Sequence, residues 1–326
     1  MGVLKSIEAS RGPTDPALVR ASNDYARDVL GWKGFAPWLY VYAAIAGRFK
    51  EGWIPDNYYG RVVVPAVDMP FGAVSDMKTL SHKLFDHHVL PDLLYLVRGV
   101  FYVRQGASYR RIAPELVPHL LFERSDRVVL KADGSLQGRG IAVFDATSFD
   151  VAAAVSFGSG VFQSYVDQSE AFDAMSPGSV ATLRMTTVVE PDGKISLRAA
   201  YLRVARAVDT HVQSASNVRV PVDLDDGMYG SMGYLPSWGT IDRHPDSGFV
   251  FAGQGVPGFD ACKSTVLSLH ERLPHVTCIG WDLAVGKADE PLLLEWNGTF
   301  NDIKFSEAVQ GPCFVGLGWE DLWRSA

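Results

Sequence analysis

The stretch CIGWDLAVGKADEPLLLEWNG, residues 278–298, decides the fold. It predicts two strands on either side of the polar loop 286–290. Residues two apart on a strand point to the same face, so Glu295 and Asn297 share a face, and Asp282 joins them if the strands pair as a hairpin. Buried acids need a partner, and two acids beside an amide suit a hard cation such as magnesium. The alternative is a pair of acids at the exposed end of a hairpin.

A second candidate site is the stretch KADGSLQGRG, residues 131–140. A lysine ends the predicted strand 128–131, and the stretch holds three glycines, two of which fall in the next predicted strand, 138–144. Glycines let backbone N–H groups approach phosphate oxygens closely, and Lys131 adds a positive charge. The stretch is not a Walker motif, because it lacks the Gly-Lys-Ser/Thr ending. It predicts either a phosphate-binding loop or an ordinary hairpin.

The rest of the chain mixes predicted strands and helices in no regular parallel βαβ order, which favours an α+β fold. Most of residues 16–50 show helical spacing. The twelve-residue apolar run from Ala36 to Gly47 is too short to span a membrane and predicts a buried core helix. The other predicted elements are a strand at 61–66, a helix at 77–88, a strand pair at 93–104, a strand at 162–166, an antiparallel meander at 182–208 that turns at 191–193, a helix within 257–272, and strands at 278–285 and 292–296.

Composition limits the class of protein. The 326-residue chain carries 30 lysines and arginines against 37 aspartates and glutamates, a net charge of −7, which argues against a general nucleic-acid-coating role. The three cysteines form no CxxC pair, and the first residues are unlike a secretory signal. We therefore expect a cytoplasmic protein of two or three lobes. The aromatic segment 32–42 predicts core packing, with a membrane-docking or dimer surface as the alternatives.

Taken together, these motifs resemble the ATP-grasp superfamily, and most closely its sugar-transfer-associated family, from about residue 50 to 315. The stretches that carry the resemblance are FKEGWIPDNYY at 49–59, residues 131–141 and residues 280–298. The resemblance implies two α+β lobes that enclose ATP, behind a mostly helical N-terminal segment. The expected domains are 1–75, the N-terminal helical cap; 76–165, the small lobe with the glycine-rich phosphate loop; and 166–326, the large lobe with the metal site and the acceptor pocket.

The resemblance also implies roles for particular residues. Lys78 and Lys131 match the two nucleotide lysines, and Arg184 resembles an arginine near the γ-phosphate that would act in catalysis with Lys131. The sequence departs from the family pattern at Gln163, where Glu is common, and at Ala132, where a proline usually follows the lysine. The remaining implied site residues are Gly134, Ser135, Gln137, Gly138, Arg139 and Gly140 of the phosphate loop, Gln163, Ser164, Tyr165 and Val166 of the adenine hinge, Gln168 on the ribose side, and the magnesium ligands Asp282, Glu295 and Asn297.

The implied reaction uses ATP and magnesium. A carboxylate is phosphorylated to an acyl phosphate, and an amine or a similar nucleophile then displaces the phosphate. A phosphotransferase and a non-catalytic nucleotide-binding module of a polysaccharide pathway remain alternatives. The expected partners are a small-molecule carboxylate and its nucleophile, with no nucleic acid, no membrane span and a homodimer as one possibility. Four polar residues are candidates for the substrate pocket, or are ordinary loop polarity: His211, Asn217, Asp242 and Arg243.

Overall fold

Two antiparallel sheets form the framework of the structure, a computed structural model that describes residues 2–67, 70–85, 88–135, 140–206 and 216–324. Helices pack against the sheets and also build the N-terminal segment. The α+β fold class predicted from the sequence is confirmed.

The smaller sheet consists of the strands β1 (Asp92–Val97), β2 (Val100–Gln105), β3 (Ser108–Ile112), β4 (Arg127–Ala132), β5 (Ile141–Asp145) and β6 (Gly160–Ser164). Their order is β3-β2-β1-β6-β4-β5. The β1–β2 hairpin turns at Arg98 and Gly99, with φ values of 51° and 79°. Two positive φ values in a row give the turn a twist that matches the twist of the strands. Leu94, Leu96 and Phe162 pack in the apolar core of this sheet.

The larger sheet consists of the strands β7 (Thr182–Val189), β8 (Ile195–Val204), β9 (Val218–Pro221), β10 (Gly233–Tyr234), β11 (Thr240–Ile241), β12 (Cys278–Val285) and β13 (Pro291–Asn297). Their order is β11-β10-β9-β8-β7-β12-β13. The predicted hairpin 278–297 is confirmed, because β12 and β13 pair with Asp282 opposite Glu295. The predicted pairing in the meander is also confirmed for β7 and β8.

The α-helices are α1 (Gly2–Arg11), α2 (Pro16–Asp28), α3 (Ala36–Ala46), α4 (Asp56–Tyr58), α5 (Val64–Val67), α6 (Ser81–Leu84), α7 (Val117–Phe122), α8 (Val151–Phe157), α9 (Glu170–Met175), α10 (Phe259–Glu271) and α11 (Lys304–Val309). Short 3₁₀ turns lie at Lys33–Phe35, Pro70–Asp76, Lys78–Leu80, Pro114–Leu116 and Trp319–Arg324, and a π turn at Tyr59–Val63. The predicted core helix is α3, which ends at Gly47 with a φ of 67°. Within the described ranges, no helix is long and apolar enough to cross a membrane.

The larger sheet separates an apolar face from a polar one. Successive residues of a strand point to opposite faces, so alternation along β7 and β12 sorts their side chains. Leu183 and Trp281 belong to the core shared with α10. Arg184 and Asp282, their immediate neighbours in sequence, lie on the opposite face and bond to each other. This face carries the charged residues and positions the candidate site.

The N-terminal and C-terminal segments of the described chain hold each other in place. Helices α3 and α11 pack together in one apolar cluster with the fully buried Trp53 and Tyr58. The Tyr58 hydroxyl donates a hydrogen bond to the Trp319 carbonyl at 2.8 Å. The Trp53 indole N–H donates to the Glu307 carbonyl at 2.9 Å. The aromatic segment that the sequence singled out is therefore largely core, although Trp32 is exposed.

The strand predicted at 61–66 is wrong. This stretch forms the π turn Tyr59–Val63 and then α5. The run of valines has strand propensity, but tertiary packing overrides such preferences. Tyr59 and Val63, four residues apart on one helical face, are both fully buried.

The helix predicted at 77–88 is shorter than expected. It consists of the 3₁₀ turn Lys78–Leu80 and α6, and residues 86 and 87 lie outside the described ranges. The chain becomes extended at Phe85, with φ −123° and ψ 158°. The Phe85 ring lies 5.6 Å from the Trp281 ring and 5.7 Å from the Trp296 ring. Packing this ring into the core of the larger sheet ends the helix.

A buried carboxylate fastens the N-terminal segment to the C-terminal one. Glu307 is fully buried, and its two oxygens accept hydrogen bonds from the backbone N–H groups of Cys313 at 2.8 Å and Ile54 at 3.2 Å. Burial raises the pKa of Glu307 to about 8, against an ordinary value of 4.5. Because the folded pKa is the higher one, this group stabilises the fold most at low pH.

We predict a pH effect from this carboxylate. Its stabilising contribution is complete below about pH 4.5 and is lost as the pH rises through about 8. Between these values, the free energy of unfolding of the wild type should fall, relative to that of Glu307→Gln, by up to about 1.4 kcal/mol per pH unit. Urea denaturation of both proteins from pH 5 to pH 8, at about one-unit steps, measures this difference.

The glutamine variant also loses one of the two N–H acceptors, which should cost about 1–3 kcal/mol at low pH. The exposed Glu271, changed to Gln, is the matched control and should leave the pH profile unchanged. Parallel profiles for wild type and Glu307→Gln would contradict the prediction.

Candidate functional site

A cavity of about 630 Å³ is lined by residues of both sheets. This volume is in the range of ligand-binding sites. Its middle lies at the carboxylates of β12 and β13. We call one end the hinge end, which is lined by Val129, Ile141, Val143, Gln163, Ser164, Tyr165 and Val166. We call the other the far end, which is lined by Val3, Trp38, Tyr201, Arg203, Asn217, Arg219, Trp238, Asp302 and Lys304.

The hinge end has apolar walls and one free acceptor. Val129, Ile141 and Val143, on the paired strands β4 and β5, supply the walls. The Gln163 side-chain amide donates from Nε2 to Asp92 Oδ1 at 2.8 Å. Its Oε1 is buried and accepts no hydrogen bond from the described residues. The hinge end therefore combines apolar walls with a buried acceptor, Gln163 Oε1, that has no partner among the described residues.

Three other predicted hinge residues lie here as well. Ser164 donates its backbone N–H to the Pro91 carbonyl at 2.8 Å, and Tyr165 donates its own to the Arg127 carbonyl at 3.0 Å. The Tyr165 ring packs against the Arg127 guanidinium at 3.7 Å. Val166 is buried and lines the cavity. These contacts hold the end of β6 rigidly against β1 and β4.

The two predicted nucleotide lysines lie in different places, Lys131 at the cavity and Lys78 at a smaller void beside it. Lys131 lines the cavity and donates from Nζ to the Leu294 carbonyl at 3.1 Å. Burial lowers its pKa, against the attraction of Glu295. Lys78 lines a smaller void beside the cavity, where Nζ donates to the Ser135 carbonyl at 2.9 Å and lies 3.3 Å from Glu295 Oε1. Lys78 therefore ties the glycine loop to the carboxylate of β13.

Hydrogen bonds fix the start of the predicted phosphate loop to residues 76–79. Gly134, in the left-handed conformation with φ 67°, donates its N–H to the Asp76 carbonyl at 2.8 Å. Asp133 accepts from the N–H and the hydroxyl of Thr79 at 2.9 and 2.8 Å. Gly140, with φ 70°, closes the loop. The predicted loop residues Gln137, Gly138 and Arg139 lie outside the described residues.

The middle of the cavity is organised by one buried carboxylate. Arg184 binds Asp282 with two parallel hydrogen bonds, Nε to Oδ1 at 2.6 Å and Nη2 to Oδ2 at 2.9 Å. Arg203 also donates to Oδ1 of Asp282. Burial favours the neutral acid, but Arg184 and Arg203 prevail and hold the pKa of Asp282 at about 2. Asp282 is therefore an anion in the folded protein.

The predicted metal ligands come together around this anion. Asp282 and Glu295 face each other across the paired strands, and the Asn297 amide nitrogen lies 3.4 Å from Asp282 Oδ2. All three line the cavity. Two carboxylates and an amide are oxygen donors of the kind that magnesium prefers, so the set fits such an ion. Among the described residues, no group of three or more His, Cys, Asp and Glu side chains forms an alternative metal site.

Two groups of predicted residues are not brought to the cavity. The Gln168 amide donates to Asp173, Ser176 and Ser179, and accepts from Ala181 at 2.8 Å, so it fixes a local loop instead. The substrate candidates Asp242 and Arg243 are exposed and pair with each other at 3.2 Å. Asn217 does line the far end, and His211 lies outside the described residues.

Sequence reasoning missed the basic and aromatic residues of the far end. Arg203 pairs with Arg219 across β8 and β9, and Arg203 also pairs with Thr182 across β7. Residues paired in this way lie on the same face as Arg184, which is two residues from Thr182. The alternation Tyr201-x-Arg203 was a usable signal, but only the strand register shows which arginines meet. Trp238, in a loop, gave no such signal.

A family profile described as sugar-transfer associated ATP-grasp matches residues 153–317. This range holds Arg184 and the hairpin with Asp282, Glu295 and Asn297. No curated protein matches the chain. The profile matches half of the chain, including all of the larger sheet.

Several solved structures resemble the chain, with low TM-scores and low sequence identity. D-cycloserine synthetase DcsG has a TM-score of 0.42 and 12% identity, over 99% of this chain and 93% of that one. D-alanine–D-alanine ligase from Bacillus anthracis has a TM-score of 0.42 and 12% identity, over 76% and 66%. An ADP complex of N5-carboxyaminoimidazole ribonucleotide synthetase has a TM-score of 0.42 and 11% identity, over 69% of this chain. The chain spans only 45% of the length of that synthetase.

We predict that Asp282 contributes strongly to the unfolding free energy of the protein even when no ligand is bound. Asp282→Asn leaves Arg184 and Arg203 buried without their counter-ion, which should cost about 3–5 kcal/mol of unfolding free energy. Chemical denaturation measures the difference. The matched control is Asp242→Asn, which breaks an exposed pair with Arg243 and should cost less than about 1 kcal/mol. Equal stability of the two variants would contradict the prediction.

Proposed function

The chain belongs to the sugar-transfer-associated ATP-grasp family, and we propose that it is an ATP-dependent ligase that activates a carboxylate and joins it to an amine or a similar nucleophile. One observation carries the proposal. A single cavity joins an apolar hinge end, a buried lysine and a set of oxygen ligands to a cationic far end. In this proposal, residues 76–165 and 166–326 are the two lobes around ATP, and residues 1–75 are a helical cap.

The hinge end supports an adenine site. Val129, Ile141 and Val143 offer apolar walls for a flat ring. Gln163 Oε1 is a buried acceptor without a partner among the described residues, and the exocyclic amine of adenine is a donor. A buried polar atom of this kind is costly unless a ligand bonds to it. Glutamine thus serves here in place of the glutamate that is common in the family.

The middle of the cavity supports a triphosphate site. Lys131 donates to Leu294, and an ammonium group has three donors, so two remain for phosphate oxygens. Asp282, Glu295 and Asn297 would hold magnesium. When bound, the ion neutralises phosphate charge and aligns the oxygens. Lys78 orients Glu295 and the glycine loop, and its role is therefore one of positioning.

The proposed reaction has two steps. An oxygen of the substrate carboxylate attacks the γ-phosphorus, the bond from the γ-phosphorus to the bridging oxygen breaks, and ADP leaves. The amine then attacks the acyl carbon, the carbon–oxygen bond breaks, and phosphate leaves as the amine loses a proton. Arg184 and Lys131 stabilise the charge that develops, since their positions are fixed before the reaction. Water must be kept from the acyl phosphate, because water would hydrolyse it.

Nucleotide binding tests the first half of the proposal. The non-hydrolysable ATP analogue AMP-PNP with magnesium, at about 100 times its dissociation constant, should stabilise the wild type by about 2.7 kcal/mol. Lys131→Ala and Glu295→Gln should each reduce this gain by more than half, because each removes a phosphate or metal contact. Thermal unfolding with and without magnesium measures it. The exposed Lys194, changed to Ala, is the control and should bind as the wild type does.

Product analysis tests the second half. We expect ADP release that requires both a carboxylate and an amine, with one free phosphate for each ADP. Lys131→Ala and Glu295→Gln should lower this rate at least 100-fold, while Lys194→Ala should not. Phosphate that stays on the acceptor would show a phosphotransferase instead. Normal turnover by folded Lys131→Ala or Glu295→Gln would overturn the assignment of the site.

A further inference from the structure

The far end of the cavity has an excess of positive charge. Three cationic side chains, Arg203, Arg219 and Lys304, line it against one carboxylate, Asp302. Arg184 and Arg203 share Asp282, and Lys304 lies 2.8 Å from Asp302. One arginine therefore remains without a carboxylate of its own.

Arg219 is this unmatched cation. Its guanidinium carbon lies 4.8 Å from the Trp238 ring centre and 4.7 Å from the Phe305 ring centre. Its one hydrogen bond within the described part of the chain is a long one, from Nη2 to the Leu235 carbonyl at 3.4 Å. Its Nε is buried without a partner, and no described carboxylate lies within 4.0 Å. Asp302 attracts Arg219 from beyond this distance but forms its ion pair with Lys304. A buried cation without an ion pair of its own is costly, so a ligand that supplies an anion is expected to bind here.

The backbone under Arg219 is strained in a way that supports this arrangement. Trp238 has a φ of 69°, in the left-handed region, which is a true outlier for so large a residue. It is nevertheless 4% exposed, in a turn where its N–H bonds to the Leu235 carbonyl at 2.8 Å. A glycine would adopt this conformation without strain, but the sequence places a tryptophan here and the glycine at the next position, Gly239. Strained backbone of this kind clusters at ligand sites, where it holds a side chain in the position that binding requires. Here the indole ring fixes the arginine.

Arg219 is close enough to Arg203 for one small molecule to reach both. The two residues are directly paired across β8 and β9, so their Cα atoms are about 4.5–5.5 Å apart. Arg203 also has a buried Nε without a partner among the described residues. The Nη1 group of each arginine makes no hydrogen bond within the described part of the chain and is not among the buried unpaired atoms, so both arginines have a donor left for an anionic ligand.

We infer that the substrate is a small dianion, whose reacting carboxylate lies toward Arg203 and whose second anionic group, a carboxylate or a phosphate, binds to Arg219. This inference rests on the proposed ligase function and names the substrate class of that site. Arg219 is then the residue that selects the substrate. Its planar fork suits a carboxylate or phosphate, and the two aromatic rings hold that fork in place.

Matched pairs of acids test the inference. The dicarboxylates from malonate to adipate are compared with monocarboxylates of equal chain length, and 4-phosphonobutyrate serves as the phosphate-like dianion. Binding to the full-length protein is measured by calorimetry, both with and without AMP-PNP and magnesium. We expect at least one dianion to bind at least 10-fold more tightly than its matched monoanion. Preference for the dicarboxylate or for the phosphonate identifies the second group.

Three variants locate the effect. Arg219→Met should abolish the preference for the dianion and leave binding of AMP-PNP unchanged. Arg219→Lys keeps the charge but loses the planar fork, so it should retain a weakened preference for the dianion. This variant provides the test if Arg219→Met fails to fold. Arg110→Met, at an exposed position on β3, should behave as the wild type does.

The outcomes separate this inference from the proposed function. If AMP-PNP fails to bind but dianions are still preferred through Arg219, the ligase proposal fails and the anion site stands. If AMP-PNP binds but no dianion exceeds its matched monoanion, or if folded Arg219→Met or Arg219→Lys keeps the full preference, the inference is overturned.

Discussion

The rest of the site depends on the ion pairs of Asp282 with Arg184 and Arg203. A carboxylate in this position is stable only as an anion between two fixed cations, and these cations come from two further strands. The same contacts therefore set the register of β12 against β7 and bring β8 to the cavity. They also hold Asp282, the proposed metal ligand, and Arg184, the proposed γ-phosphate contact, at a fixed separation before any ligand binds. Stability and preorganisation arise here from one interaction, and they cannot be altered separately.

The predictable parts of the fold were those in which local pattern and tertiary structure agree. The hairpin of β12 and β13 was predictable because a polar loop separates two apolar runs, and because a glutamate within a leucine-rich strand needs a partner. The strand predicted at 61–66 failed because β-propensity reflects packing, and here Tyr59 and Val63 are buried on one helical face instead. The expected division into three domains stays a prediction.

The far end of the cavity was the least predictable part of the site. Arg203, Arg219 and Trp238 are separated by up to 35 residues in sequence and meet only through strand register and a strained turn. Gln168 is the reverse case, because its position suggested a ligand contact while its amide bonds to groups within the protein. Resemblance to a family carries over the shared phosphate chemistry. It says little about the loops and edge strands that define a substrate.

The packing of α3 on α11 has a consequence for the order of events during synthesis. Val3 and Trp38 help to line the cavity, but the helices that carry them are held by a segment that lies some 260 residues later in the chain. Until that segment leaves the ribosome, the face of α3 that packs on α11 has no cover, although α1 and α2 pack on other parts of the helix. Contacts of such long sequence separation also form late, because loop closure must come first. The nascent chain is therefore expected to expose this face until residues 304–309 have been synthesised.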